Sequence, residues 1–429
     1  MKLNFFLLVV LSTILVCCDS SIDESSQQVP PNEYLSDNQI VVRYKIPKDS
    51  INLDSIFRVL HVTEVSRCSC GDETLELWTI DPGSTNIEDA VSSLSEEEGA
   101  EGVEGDRQFH FEIPNAGNPN GQILNDNFTQ NDITVVDNSE SKVDIAIIDT
   151  GIDYYRKWEP DLFFFRTSNS ISYCDGEVSG WDFVNGDNDV FDDHNHGTYV
   201  TKIITNELNK RGIGFRILPI KAFDSLGKGS YWNLVCSMNY VKKIPQISIV
   251  NASFGHYLDV KQDILKGLIQ EMSQNTLIVS SSGNRGWNTD QERYFHYPSG
   301  YPEVNILSTG GFSGIPEIIE GNKITNVERA SGSNFGPINI DVAAPFYDYA
   351  LEFKTREDRP LLNVNVSGTS YSAALVTANV AEILQESRER GEFQIPETLK
   401  ELLLSTSYIS DELKSFFKGG KIIPKNPIE

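Results

Sequence analysis

Four polar residues stand where apolar runs stop, and each is of a type that moves protons, attacks carbonyls or holds negative charge. Ile145-Ala146-Ile147-Ile148 leads directly into Asp149-Thr150-Gly151, so an acid ends an apolar strand where it can be fixed and desolvated. Of the six histidines only His196 is followed by Gly-Thr and a helical segment, Tyr199 to Leu208. An imidazole there can take a proton from a nucleophile and return it to a leaving group, and a carboxylate on one ring nitrogen fixes the tautomer that leaves the other free. Ser370 falls between an extended stretch, Leu361 to Val366, and an apolar helix, Ala373 to Leu384. At a helix N-terminus the unpaired amides and the positive dipole end favour an oxyanion. Asn284 closes the run Ser280-Ser281-Ser282-Gly283, and its amide can donate to the same charge. Taken singly, each has a plainer use: a structural histidine, a serine N-cap, an asparagine in a turn.

The elements that would hold them follow one pattern. Apolar strands at 143–148, 217–222, 247–252, 276–280, 304–307 and 338–343 alternate with helical segments, which means a mostly parallel sheet covered on both faces. In such sheets the chemistry lies at the carboxyl ends of strands, where these polar residues are. Ahead of it, residues 39–112 read as strand, helix, two strands, helix and strand, a small βαββαβ (ferredoxin-like) unit. The expected division is a leader at 1–17, a polar tether at 18–38, the βαββαβ unit at 39–112, a linker at 113–140, the large α/β domain at 141–410 and a tail at 411–429.

Composition narrows the partners. The 429 residues carry 35 basic and 62 acidic side chains, 35 − 62 = −27, which argues against a nucleic-acid surface. Lys2 and the apolar run Phe5 to Val16 form a leader too short to span a bilayer. Leu15-Val16-Cys17-Cys18 resembles a bacterial lipoprotein box with Cys18 as the lipidated residue, so export is expected, either as a lipoprotein anchored to a bacterial membrane or by plain secretion. The four remaining cysteines, Cys68, Cys70, Cys174 and Cys236, are too few for a disulfide framework. Cys68-Ser69-Cys70 is not a zinc pattern, and Cys174 and Cys236 read either as a bridge or as two buried thiols. Asp182, Asn185, Asp187, Asn188, Asp189, Asp192 and Asp193 form an acidic loop that suits either plain solvation or a structural calcium.

The order Asp149, His196, Asn284, Ser370 on a parallel α/β pattern resembles the subtilisin-like serine peptidases. Gly180-Trp181-Asp182-Phe183-Val184, Leu218-Pro219-Ile220-Lys221, Asn251-Ala252-Ser253-Phe254-Gly255, Tyr297-Pro298 and Asp341-Val342-Ala343-Ala344-Pro345 extend the match over 143–386. The resemblance implies a three-layer α/β/α fold and hydrolysis of peptide bonds with no cofactor for the chemistry. Ser370 is then the nucleophile, His196 the base, Asp149 its orienting acid and Asn284 an oxyanion donor. Gly229 and Ser253-Phe254-Gly255 should hydrogen-bond an extended peptide or protein substrate. Glu101 to Phe111 resembles the last strand of the family's inhibitory propeptides, which implies a self-processing zymogen. Cutting the linker would then release a soluble enzyme from its anchor. Asn195, Tyr199 and Ala374 depart from the family's usual Gly, His and Pro. Two other readings stand beside this one. Asp-Thr-Gly also marks aspartic peptidases, in which two such acids share a proton, although it occurs once here. A surface lipoprotein could keep the fold as a peptide-binding module.

Overall fold

The computed structural model describes residues 34–70, 73–96, 102–113, 142–158, 164–165, 174–355 and 359–425. The leader, Cys18 and the linker beyond Ile113 lie outside them.

Residues 34–113 form β1 (Tyr34–Tyr44), α1 (Leu53–Val59), β2 (Val62–Arg67), β3 (Leu75–Ile80), α2 (Ile87–Glu96) and β4 (Val103–Glu112), with the strands in the order β2-β3-β1-β4. Asn52 starts α1 by accepting from the Ser55 amide, which satisfies an otherwise unpaired donor. Strand alternation then decides what each face covers. Ile40, Val42, Trp78 and Ile80 point to one side and pack with Ile87, Val91 and Leu94 of α2. Val41, Leu75, Phe109 and Phe111 point to the other, into a core shared with the large domain. Both faces of the sheet are therefore buried at β1, β3 and β4, while the edge strand β2 stays largely exposed.

The large domain runs through β5 (Val143–Asp149), β6 (Trp181–Asp182), α3 (His196–Lys210), β7 (Phe215–Lys221), β8 (Lys228–Ser230), α4 (Tyr231–Lys242), β9 (Ile249–Ala252), α5 (Asp263–Glu271) and β10 (Leu277–Ser281). It continues with β11 (Ile306–Glu320), β12 (Lys323–Arg329), β13 (Val342–Pro345), β14 (Tyr349–Lys354), β15 (Pro360–Val366), α6 (Thr369–Glu389), α7 (Pro396–Thr406), β16 (Tyr408–Ser410) and β17 (Lys421–Ile422). Strands β13, β11, β10, β9, β5, β7 and β6 pair in that order, all parallel. On β5, Ile145 and Ile147 face α3 and α6, whereas Ala146 and Ile148 face α4 and α5. Apolar residues on both faces are what place helices on both sides, giving the three-layer α/β/α arrangement.

Three features differ from the sequence reading. β11 continues well past Leu307 as a hairpin with β12, because its outer half is partly exposed and lacks the apolar run that marks a buried strand. After α7 the chain returns: Leu413, Phe417 and Ile422 pack with Phe312 and Ile340, and β17 pairs with β13. The cysteine expectation is overturned. Cys68 is bonded to Cys236 and Cys70 to Cys174, with Cα atoms 5.8 and 4.7 Å apart. Cys236 on α4 and Cys174 ahead of β6 each face the β2–β3 turn rather than one another, a proximity that no local spacing encodes.

Asp144 at the start of β5 and Arg216 at the start of β7 form a buried bidentate pair at 2.6 and 2.7 Å. Arg216→Ala leaves that carboxylate buried and unpaired, so unfolding stability should fall by about 3–5 kcal/mol. An Asp144→Asn/Arg216→Met double variant should regain most of the loss, as read by the denaturant midpoint.

Candidate active site

β5 delivers Asp149 to the sheet's carboxyl edge, and the N-terminus of α3 brings His196 against it. Nδ1 of His196 lies 2.7 and 2.9 Å from the two Asp149 oxygens. Asp149 is 1% exposed and His196 2%, so little water competes for that bond. The Thr150 amide donates to Asp149 Oδ1 at 2.8 Å, and Thr150 Oγ1 accepts from the Gly197 amide at 2.9 Å, tying the end of β5 to the first turn of α3. Gly197 is required there: a methyl group on it would lie 2.3 Å from the Gly151 carbonyl and 3.1 Å from Asp149 Cβ. Asn195 takes φ 83°, the left-handed region that glycine or asparagine tolerates best, which accounts for a Gly-to-Asn departure at this position. Its side chain accepts from Arg156 rather than capping α3. Asp192 caps instead, accepting from the Thr198 amide at 2.8 Å and from the His194 and Asn195 amides at 2.9 and 2.7 Å.

Ser370 stands in the first turn of α6, 4% exposed. Its Oγ donates to the Ser253 carbonyl at 3.0 Å, so in this rotamer it is turned toward the end of β9. Tyr371 beside it packs its ring 5.7 Å from that of His196. Asn284 Oδ1 accepts from both the amide and the hydroxyl of Thr369 at 2.9 Å. With its oxygen so held, the amide nitrogen is left to donate, and it borders Gly368, whose added methyl group would lie 3.3 Å away. The structure thus gathers Asp149, His196, Asn284 and Ser370 at one sheet edge. The Asp149 carboxylate is spent on His196, which removes the acid that a shared-proton dyad would need.

Of Gly229, Ser253, Phe254 and Gly255, Ser253 touches Ser370 and Gly255 touches His296, while β4 lies against Gly229 and Phe254. His110, Phe111 and Glu112 pair antiparallel with Ser230, Gly229 and Lys228, and the Ile113 amide continues to the Gly227 carbonyl at 2.9 Å. The Phe111 ring sits among those of Phe223, Phe254 and His256. Asp106 reaches across to accept from Tyr231 Oη at 2.6 Å and from the Ile264 amide of α5 at 2.8 Å, while Gln108 accepts from the Trp232 amide of α4 at 3.0 Å. Burial pushes the Asp106 carboxyl up to about 7 against those two hydrogen bonds.

The acidic loop spends its oxygens locally. Asp182 accepts from the Val184 and Asn185 amides, Asp187 from the Asp189 amide, and Asp193 pairs with Lys221 at 2.7 Å. Among the described residues no three Asp, Glu, His or Cys side chains gather where they could hold a metal. Sequence reasoning missed Thr369, which orients Asn284 from 85 positions away, and His296, which lies between Gly255 and Gly283. His296 directly precedes the Tyr297-Pro298 match, the one local signal that would have drawn attention to it.

The family model for the subtilase family matches residues 140–421. A thermophilic serine proteinase from Bacillus sp. (strain AK1) is 27% identical over 301 residues, 68% of this chain and 63% of that one. Thermitase from Thermoactinomyces vulgaris is 25% identical over 210 residues, 47% of this chain and 62% of its own. The chain thus spans less than two thirds of either relative. The crystal structure of a lanthipeptide protease superposes with a TM-score of 0.50 at 20% identity, covering 66% of this chain and 85% of that one, a likeness of fold.

Burial pushes the His196 imidazole down, but the charge and hydrogen bond of Asp149, helped by Asp192, outweigh it and leave the pKa raised. Only the neutral ring can accept a proton. Turnover that depends on it should therefore rise with pH through a midpoint above the ordinary imidazole value of about 6.5. A pH–rate profile of kcat/KM checks this, and a midpoint below that value would contradict it.

Proposed function

The chain belongs to the subtilase family, and we propose that it is an exported serine endopeptidase made as a zymogen with its own N-terminal domain as inhibitor. The observation that carries this reading is the buried carboxylate–imidazole bond beside the N-terminus of α6, where Ser370 and Asn284 stand. Ser370 Oγ swings from the Ser253 carbonyl to attack the scissile carbonyl. His196 takes its proton on the nitrogen remote from Asp149 and passes it to the leaving amine. The charge on the former carbonyl oxygen is met by the Asn284 amide and the Ser370 backbone N–H. Residues 1–17 act as the export leader and Cys18 as the lipidated residue.

The substrate lies as an added strand on β8, the place β4 now fills. Pairing through backbone groups grips many sequences, so selectivity falls to the side chain just before the scissile bond. With the carbonyl between Ser370 and Asn284, that side chain enters the gap between Ser253–Gly255 and Ser282–Asn284. The gap is already filled from below. A methyl group on Gly255 would lie 2.1 Å from His296 Cε1, and one on Gly283 would lie 2.5 Å from the Tyr257 hydroxyl and 3.0 Å from His296 Cδ2. Nδ1 of His296 is 2.7 Å from Ser299 Oγ, and burial pushes the imidazole down to about 3, so it stays neutral in place. The peptidase accordingly selects glycine, alanine or serine at that position.

Ser370→Ala or His196→Ala should cut turnover of a peptide substrate on the order of 10⁶-fold, the loss known for subtilisin itself. Near-normal rates in either would end the triad assignment. Asn284→Ala should fold but lose about 10²–10³ in kcat with little change in KM, again the size known for subtilisin's donor. For specificity, profiling on a peptide library should show small residues before the cut in the wild type. His296→Ala should raise kcat/KM for leucine or phenylalanine there by about 10–200-fold. A wild-type enzyme that already prefers large residues would refute the role of His296.

A further inference from the structure

Both disulfides cross between the N-terminal domain and the peptidase domain. The Cys68-Ser69-Cys70 turn between β2 and β3 carries one end of each, and α4 and the segment ahead of β6 carry the others. The turn is also seated by packing: Trp181 Nε1 donates to Ser69 Oγ at 2.9 Å, and a methyl group on Gly186 would lie 3.2 Å from Ser69 Cβ. All four cysteines are at most 9% exposed. On the chain, Cys68 and Cys70 precede the linker beyond Ile113, whereas Cys174 and Cys236 follow it. A backbone cut anywhere in 114–141 therefore leaves two polypeptides joined twice by covalent bonds.

We infer that the N-terminal domain is a disulfide-retained subunit of the cut protein, not an inhibitor that departs once the linker is cleaved. That the linker is cut by the chain's own Ser370 rests on the function proposed above; the retention itself does not. Tethering turns re-docking of β4 on β8 into an intramolecular event at an effective concentration on the order of millimolar. The cleft strand therefore returns faster than a diffusing substrate can displace it, and linker cleavage by itself does not open the site. The same bonds correct the release expectation. An anchor on Cys18 would hold the peptidase domain as firmly after the cut as before it.

The test uses the full chain, exported to an oxidising compartment, in two forms. In the first, Ser370→Ala carries a recognition sequence for a foreign protease within 114–141, is cut with that protease, and is treated with iodoacetamide before denaturing electrophoresis. One band near full mass without reductant and two bands with it is the expected result. Two bands without reductant would overturn the inference, whatever the chain's own activity. In the second, an otherwise wild-type chain carrying the same site is compared, after cutting, with Cys68→Ser/Cys70→Ser/Cys174→Ser/Cys236→Ser on a fluorogenic peptide. The bridged enzyme should be on the order of 10²-fold slower. Equal, measurable rates would overturn the inhibitory consequence while leaving retention to the gel. If the fourfold variant does not fold, Cys70→Ser/Cys174→Ser keeps one bridge and should still run as a single non-reduced band. Absence of turnover in every form, with the gel as expected, would count against the peptidase reading alone.

Discussion

A carboxylate and an imidazole bonded to each other out of reach of water constrain everything around them. In water such a pair is worth little, because solvent competes for both partners; at 1% and 2% exposure Asp149 and His196 have no such competition, and the geometry of the bond becomes the protein's to set. The backbone must then bring a strand end and a helix start together closely enough for the side chains to meet. Gly197, pressed on the Gly151 carbonyl, and Asn195, in a left-handed conformation, are what that approach demands. Asp192 supplies the helix cap that Asn195 cannot, and its charge also favours the protonated form of the imidazole. The helix start, the loop before it and the base's affinity for a proton are thus consequences of one buried bond.

The second constraint is an unpaired strand edge. β8 has backbone groups that need a partner, and whatever extended segment pairs with it lies across the catalytic edge. β4 satisfies it here and is held by its side chains as well. Phe111 fills an aromatic pocket at the middle of the pairing, while Asp106 and Gln108, ahead of it on the strand, complete the N-terminal turns of α5 and α4. Any substrate can copy the backbone pairing, but it does not bring those two caps. The preference of the cleft for its own N-terminal domain therefore comes from side chains remote from the chemistry. Asp106 adds a cost of its own: its carboxyl is raised by burial relative to a free aspartate, so docking takes up a proton and weakens as pH rises from about 4 to about 7. The disulfides hold the domain through that range.

Much of this was legible along the chain. The apolar strands, the polar residue at the end of each, and the glycine after His196 are local signals, since burial on both faces and close backbone approach constrain residue types within a few positions. The order of Asp149, His196, Asn284 and Ser370 on those elements was enough to place all four at one sheet edge. The βαββαβ order at 39–112 was likewise legible, whereas the burial of its central strands on both faces was not.

What the sequence left open were choices between segments far apart in it. Four cysteines allow three pairings, and the one adopted depends on the β2–β3 turn docking between α4 and β6, over separations of 168 and 104 residues. That Thr369 orients Asn284, that Asp192 caps α3, and that His296 lies between Gly255 and Gly283 were decided in the same way. The sequence by itself determined the fold class and the candidate reacting groups, because these follow from burial period and residue chemistry over short stretches. Only the tertiary structure decided the covalent partners, the place of His296 between Gly255 and Gly283, and the pairing of β4 with β8, because each is a contact between distant segments whose meeting no local spacing records.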